Sequence, residues 1–241
     1  MPKFVELWVY LSATPLFGLT ATLLVYLLAQ AVYTAARHAP WANPVFWTVA
    51  LLAGGLLLTG VPYPTYFAGA QFIHFLLGPA VVALGWPLWQ RRADLQRRWG
   101  RLLIAALAGG FAASASALAL GWALGLPASV LLSLAPKSVT APVAMGIAES
   151  IGGIPALAAV FSVLTGLVGA ICGKYLFDAL RIPMDAAGWA ARGFALGTAS
   201  HGIGAARALQ VHPDAGAYAG LALGLQVMLT SLWLPLLFRF V

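Results

Sequence analysis

Two stretches of this chain set chemistry-bearing side chains among helix breakers. In ASVLLSLAPKSVTAPVAMGIAESIGG, residues 128–153, Lys137, Ser138, Thr140, Glu149 and Ser150 accompany Pro136 and Pro142. In GFALGTASHGIGAARALQ, residues 193–210, Thr198, Ser200, His201 and Arg207 stand among Gly197, Gly202 and Gly204. Proline removes a ladder donor and glycine loosens the backbone, so amides come free of the helix. Free N–H groups at a half-helix N-terminus attract an anion. Lys137 would add positive charge, and Ser138, Thr140, Thr198, Ser200 and His201 hydrogen bonds that replace hydration. Glu149 and His201 are the candidates for carrying a coupling proton. Each residue also has a plainer reading. Lys137 could snorkel from a helix end, Glu149 could sit in a loop before Gly152-Gly153, the hydroxyls could pack helices, and His201 could bond a carbonyl.

Enzyme templates are absent. There is no G-x-S-x-G, no H-E-x-x-H and no pair of carboxylates at helix spacing. Lys137 and Ser138 are neighbours, so on a helix they diverge by about 100° and form no dyad. Four scattered histidines and one cysteine give no metal pattern. No cofactor is expected beyond a coupling H⁺ or Na⁺. His74, beside Phe72 and Phe75, reads as a packed histidine; His38 and His212 fall in loops.

The elements that must hold these residues are membrane helices. Only 8% of the 241 residues are charged and 62% are hydrophobic, with a mean hydropathy of +0.92. Soluble domains carry about 25% charge, so a water-soluble fold is excluded, and disorder with it. About 20 apolar residues span a bilayer, which leaves room for roughly eight spans. The net charge of +7 is concentrated rather than dispersed. Arg91, Arg92, Arg97, Arg98 and Arg101 share one segment with Asp94, read as a cytoplasmic loop rather than a nucleic-acid patch.

Along the chain, residues 7–36 read as a first span, too long for a signal peptide. Residues 45–61 make a second, stopped by Pro62 and Pro64. Residues 67–89 make a third, interrupted at Gly78-Pro79. Residues 102–126 form a small-residue-rich fourth, and residues 155–177 and 215–238 ordinary spans. Trp41, Trp47, Trp86, Trp89, Trp99, Trp189 and Trp233 lie near span ends as an interfacial belt. Cys172 is alone within an apolar run.

Loop charges favour a re-entrant segment. If every segment crosses once, Lys174, Arg181 and Arg192 fall opposite the Arg-rich segment. If residues 128–153 dip in and return, those residues become cytoplasmic, and so does Arg239. LLGPAVVALG (residues 76–85) and SLAPKSVTAP (residues 133–142) align at Leu77/Leu134, Pro79/Pro136 and Val82/Val139, a faint repeat of the kind transporters carry.

The strings LAPKSVTAPVAMGIAESIGG and ARGFALGTASHGIGAARAL resemble the LrgB/CidB family over nearly the whole chain, the FLLGPAVVALGWPLW stretch included. That family contains bacterial antiholin-like or murein hydrolase export regulators, and the membrane half of the plastid glycolate/glycerate translocator. The chain departs from the family at Ala141, where a second Thr is common, and at Gly202, Ala205 and Gly146. Lys137, Ser138, Glu149, Ser200 and His201 remain in place.

The expectation is an all-α polytopic membrane protein with about 8–10 transmembrane segments, including discontinuous or re-entrant helices. It is one transporter-like domain, with residues 1–101 as scaffold and residues 102–241 as core. Helix breaks are expected at Pro79, Pro136, Pro142, Gly202 and Gly204. The broken helices point to an anion site. The resemblance supplies the substrate class, a small monocarboxylate such as glycolate, glycerate, lactate or pyruvate, and the bacterial inner membrane. It also implies a separate LrgA/CidA-like small membrane partner. The smooth apolar first spans suit a homodimer. The alternative is an antiholin-like regulator of murein hydrolase export and autolysis that acts with a holin-like partner and needs no substrate site; a channel is a third reading.

Overall fold

The computed structural model describes residues 15–76, 79, 89 and 92–238. The described residues are almost entirely helical, with no strand among them. The chain forms two compact units, Met1–Ala83 and Leu84–Val241.

In the first unit, α1 (Pro15–Ala35), a 3₁₀ turn (Pro40–Ala42), α2 (Pro44–Thr59) and α3 (Tyr63–Phe75) follow one another. The Asn43 side chain caps α2 by accepting from Val45 N (2.9 Å) and Phe46 N (3.1 Å), with Pro44 in the first turn. The expected stop of this helix at Pro62 and Pro64 is corrected. Gly60 ends it in a left-handed conformation, φ 67°. Pro64 instead lies in the first turn of α3, where a missing N–H costs nothing. Gly18 lets α1 lie directly on α3, since a β-carbon there would meet the Tyr66 carbonyl and come within 2.9 Å of Ala70 N. The N-terminal part of the expected first span, the third span beyond α3 with Trp86, and the faint repeat at residues 76–85 lie outside the described residues.

The second unit contains α4 (Arg92–Ala123), α5 (Ala128–Leu134), α6 (Ala141–Ser150), α7 (Pro155–Ala179), α8 (Ala186–Val211) and α9 (Pro213–Phe238). Among the described residues four helices, α1, α4, α7 and α9, are long and apolar enough to cross a membrane. The Arg-rich loop expected at residues 91–101 is corrected: from Arg92 onward it is the first part of α4. At about 1.5 Å per residue a helix of 32 residues exceeds the hydrocarbon thickness of about 30 Å. Arginine is a good helix former, so the first turns continue helical where they leave the apolar layer.

Packing fixes the helix directions. The Gln226 side chain donates to Ala106 O, and Phe111 faces Trp233 with ring centroids 6.0 Å apart, so α4 and α9 run parallel. Contacts of Gly166 with His201, Gly169 with Ser200 and Gly173 with Leu196 make α7 antiparallel to the first half of α8. The starts of α4 and α9 and the end of α7 therefore share one end of the unit. There the Arg192 guanidinium reaches Asp178 (2.9 Å), which also pairs with Lys174 (3.1 Å).

The two abnormal segments are both hairpins. In the first, α5 and α6 are only 7 and 10 residues long, too short to span. Ser133 Oγ accepts from Ile154 N at 2.7 Å, and a β-carbon on Gly153 would lie 2.9 Å from Ser133 N. The chain leaving α6 thus returns beside α5. In the second, α8 is interrupted by non-helical backbone at Ser200 (φ −128°, ψ 18°) and His201 (φ 40°, ψ −136°). A straight helix would put Leu196 and Gly204 about 12 Å apart. Instead a β-carbon on Gly204 would lie 3.2 Å from Leu196 C and 2.7 Å from Ser200 Cβ. Trp189 stacks on His212, centroids 4.8 Å apart, at the open end of this hairpin.

The second hairpin narrows the expected break. The break falls within the expected stretch from Ser200 to Gly204, at Ser200–His201; Gly202 and Gly204, named as the breaking residues, are themselves helical, and Gly204 serves the close approach of the two arms. Because α8 also returns to its side of entry, α9 crosses in the same direction as α4. Its last described residue, Phe238, lies beside Trp122 and Ile151. Phe238 therefore lies at the end opposite the Arg-rich turns, and Arg239 lies outside the described residues.

Candidate functional site

The hairpins enter the second unit from opposite ends and meet on α7 at Ser162, about a third of the way along it. Ser162, wholly buried, is the meeting point. Its hydroxyl donates to Val139 O in the tip of the first hairpin. Its carbonyl accepts from His201 Nε2 at 2.8 Å in the tip of the second. A carbonyl only accepts, so Nε2 carries the proton in this bond and Nδ1 is the acceptor of the neutral ring. The Ser162 hydroxyl lies 3.3 Å from the same nitrogen.

The tip of the first hairpin is built by its prolines. Pro136 has no N–H and follows the last turn of α5; Pro142 occupies the first turn of α6. Between them only two turn bonds form, Lys137 N to Leu134 O and Val139 N to Pro136 O, both 3.2 Å. Hydroxyls from the flanking spans satisfy the tip carbonyls. Ser114 of α4 donates to Ala135 O at 2.8 Å, and Ser162 of α7 to Val139 O. Irregular backbone at membrane depth survives only with such partners. The expected break around Pro79 lies outside the described residues, since its neighbours are not described.

The tip of the second hairpin rests on small residues of α7. A β-carbon at Gly166 would lie 2.9 Å from His201 Cε1, and one at Gly169 would overlap the Ser200 hydroxyl. Ser162, Gly166, Gly169 and Gly173 form one stripe along α7. Residues 155–177 read as an ordinary span and residues 102–126 as a small-residue-rich one, so neither Ser162 nor Ser114 stood out in sequence; for Ser162 the stripe of small residues was the available signal.

The meeting place gathers helix ends of both signs, since α5 and the first half of α8 also end there, and its one cation among the described residues is Lys137. Both outgoing arms, α6 and the second half of α8, begin at the tips, so their N-terminal dipole ends converge there. Lys137 is half-buried in the first tip, and among the described residues its ammonium has no ion pair. Ser138, 6% exposed, has a buried hydroxyl without a partner. Ser200 and His201 are 2% and 4% exposed. Lys137, Ser138, Ser200 and His201 therefore belong to the two tips that Ser162 joins, and Thr140 caps the start of α6 by backbone alone.

The remaining candidates lie elsewhere. Thr198 sits one turn before the second tip and faces Gly109 of α4, where a β-carbon would lie 2.8 Å from its methyl; its hydroxyl is buried and unpartnered. Glu149 and Ser150 are exposed at the far end of α6, about 13 Å along the helix from the tip. The side chain of His74 lies outside the described residues. Among the described residues no cluster of three His, Cys, Asp or Glu side chains is arranged to hold a metal ion.

The sequence matches the model of the LrgB-like family over residues 22–240. The chain belongs to the LrgB-like family. It is 34% identical over 223 residues to uncharacterized protein YwbG of Bacillus subtilis, covering 92% of this chain and 97% of that one. It is 35% identical over 197 residues to uncharacterized protein YxaC of the same organism, with 82% and 84% covered. An uncharacterized protein of Haemophilus influenzae is 32% identical over 205 residues, with 83% and 87% covered. No solved structure matches. Family membership and the apolar spans make this an LrgB-family membrane protein.

Proposed function

We propose that this LrgB-family protein is a secondary transporter of small monocarboxylates, with its anion site where the two hairpin tips meet. The observation that carries the reading is the junction at Ser162, which joins two broken helices entering from opposite ends. Discontinuous helices with N-termini aimed at a common point suit an anionic substrate near the midplane. Lys137 supplies the charge, and Ser138 and Ser200 the hydrogen bonds; His201 is the titratable group at the junction. Glu149, exposed and remote, is the weaker of the two coupling candidates. Glycolate, glycerate, lactate and pyruvate are the substrates favoured by the resemblance, and no catalytic step is invoked.

The charge layout supports the proposed orientation. Arg92, Arg97, Arg98, Arg101, Lys174, Arg181 and Arg192 collect at one end of the second unit, and Glu149 lies toward the other. The arginine-rich end is then the cytoplasmic one in an inner-membrane protein. A homodimer and an LrgA/CidA-like partner belong to the same proposal. The regulator alternative requires no cation at a hairpin tip.

The test is substrate-specific binding and uptake by the purified chain in liposomes. Lys137→Ala should lose glycolate or glycerate binding about ten- to a hundred-fold, the equivalent of one charge-assisted hydrogen bond. Lys137→Arg should also be impaired, because a planar fork does not replace a compact ammonium. Near-native binding by folded Lys137→Ala would end the site assignment and favour the regulator reading.

A further inference from the structure

A groove of about 630 Å³ runs along the second unit between α4 and the first arm of α8, floored by Tyr218 of α9. Arg98 and Arg101 stand at its mouth, exposed, with no ion pair among the described residues. They are three positions apart on α4 and so share one face. Deeper in, the walls are apolar, including Leu102, Ala105, Ala190 and Phe194, and the groove closes at Gly109 and Thr198. Arg101 and Gly109 are about 12 Å apart along the helix. Ala195 and Ala199 on its flank are exposed, so the groove opens sideways as well as at the end.

We propose that this groove holds an acidic membrane phospholipid, its phosphate on Arg98 and Arg101 and one acyl chain along the apolar wall. A small hydrophilic anion would leave the arginines for a wall whose side-chain donors are neutral hydroxyls, those of Tyr218 and Thr198, with no further cation among the described residues, and charge away from water in an apolar layer is costly. An amphiphile matches both parts of the groove. The lateral opening admits a lipid from the bilayer, and basic pockets between membrane helices on the cytoplasmic side recognise acidic headgroups. The volume lies within the range of about 300–1,000 Å³ usual for sites that enclose small ligands. The proposal does not require that the protein transport anything.

The experiment is native mass spectrometry of the full chain in mild detergent, titrated with phosphatidylglycerol or phosphatidylcholine of identical acyl chains. One tightly retained phosphatidylglycerol is expected, with phosphatidylcholine much weaker. Arg98→Gln/Arg101→Gln should weaken retention about five-fold per arginine, or about 25-fold for the pair. Ala195→Trp, which fills the groove and keeps both charges, should also release the lipid. The arginines are exposed, so an unchanged melting temperature of the double variant serves as the folding control. Equal retention of the two lipids, or undiminished retention by the double variant, would overturn the proposal. So would full displacement by glycerol 3-phosphate or glycolate, which would mark a soluble-anion vestibule. None of these readouts involves uptake, so a failure here leaves the carrier reading untouched, and the reverse holds too.

Discussion

Replacing His201 by glycine and by alanine separates two forces at the second hairpin tip. His201 has φ 40° and ψ −136°, a region that L-residues rarely enter. Such a backbone costs about 1–3 kcal/mol and persists only where its surroundings over-determine it. The surroundings here are the bond from Nε2 to Ser162 O and the tight approach of Leu196, Ser200 and Gly204. Both substitutions delete the imidazole and its hydrogen bond, a loss of about 1 kcal/mol each. Only glycine also relieves the strain, at a cost of about 0.4–1 kcal/mol in chain entropy. The central values, about 2 kcal/mol of strain against about 0.7 of entropy, make the glycine variant the more stable of the two by about 1.3 kcal/mol, within about 0.5–2. At about 2–4 °C per kcal/mol for a chain of this size, the melting temperatures should differ by roughly 1–8 °C. Thermal melting of the three proteins in one detergent measures it. If the alanine variant melts at or above the glycine variant, the backbone at residue 201 is not strained as described, and the hairpin turn is wrongly placed.

Four further outcomes follow from the same geometry. Ser162→Ala strips the donor from Val139 O and should destabilise the protein by about 1–3 kcal/mol, the cost of an orphaned buried acceptor; unchanged melting and unchanged tip hydrogen exchange would refute the junction. Gly197→Val would push a β-carbon to 2.8 Å from Ala219 Cα, so about 1–3 kcal/mol or more should be lost through overpacking of α8 on α9; a thermal melt with wild-type behaviour would contradict the packing. With exposed Cys172 replaced by alanine, a cysteine at residue 185 should label from the face reached by residue 96, and one at residue 152 from the opposite face; labelling of 152 and 185 from one face would refute the hairpin topology. If His201 titrates during transport, His201→Ala should flatten the pH dependence of uptake between about pH 5 and 8, without abolishing binding; an unchanged profile would remove it as a coupling group.

What the residues alone determined is local. The low charge and long apolar runs dictated a helical membrane protein, because backbone polar groups in hydrocarbon must be satisfied within the segment. Pro136, Pro142 and the glycine-rich run around Ser200 marked where helices fail, because a missing donor or a missing β-carbon acts on its own turn. Resemblance, carried by the same strings, gave the family. Where the chain goes after each break was decided by tertiary contacts. The reversal at His201 depends on Gly204 lying against Leu196 and on the stripe from Ser162 to Gly173, partners separated in sequence. Hydropathy reads α8 as one segment whether it crosses or returns, and so it does not give the direction of α9. Likewise, Glu149 and Lys137 share one polar stretch in sequence, but the length of α6 carries Glu149 out to the surface and leaves Lys137 at the junction. Ser162 looked like one more small residue in a span; only the meeting of two hairpins on its hydroxyl and its carbonyl gives it a role.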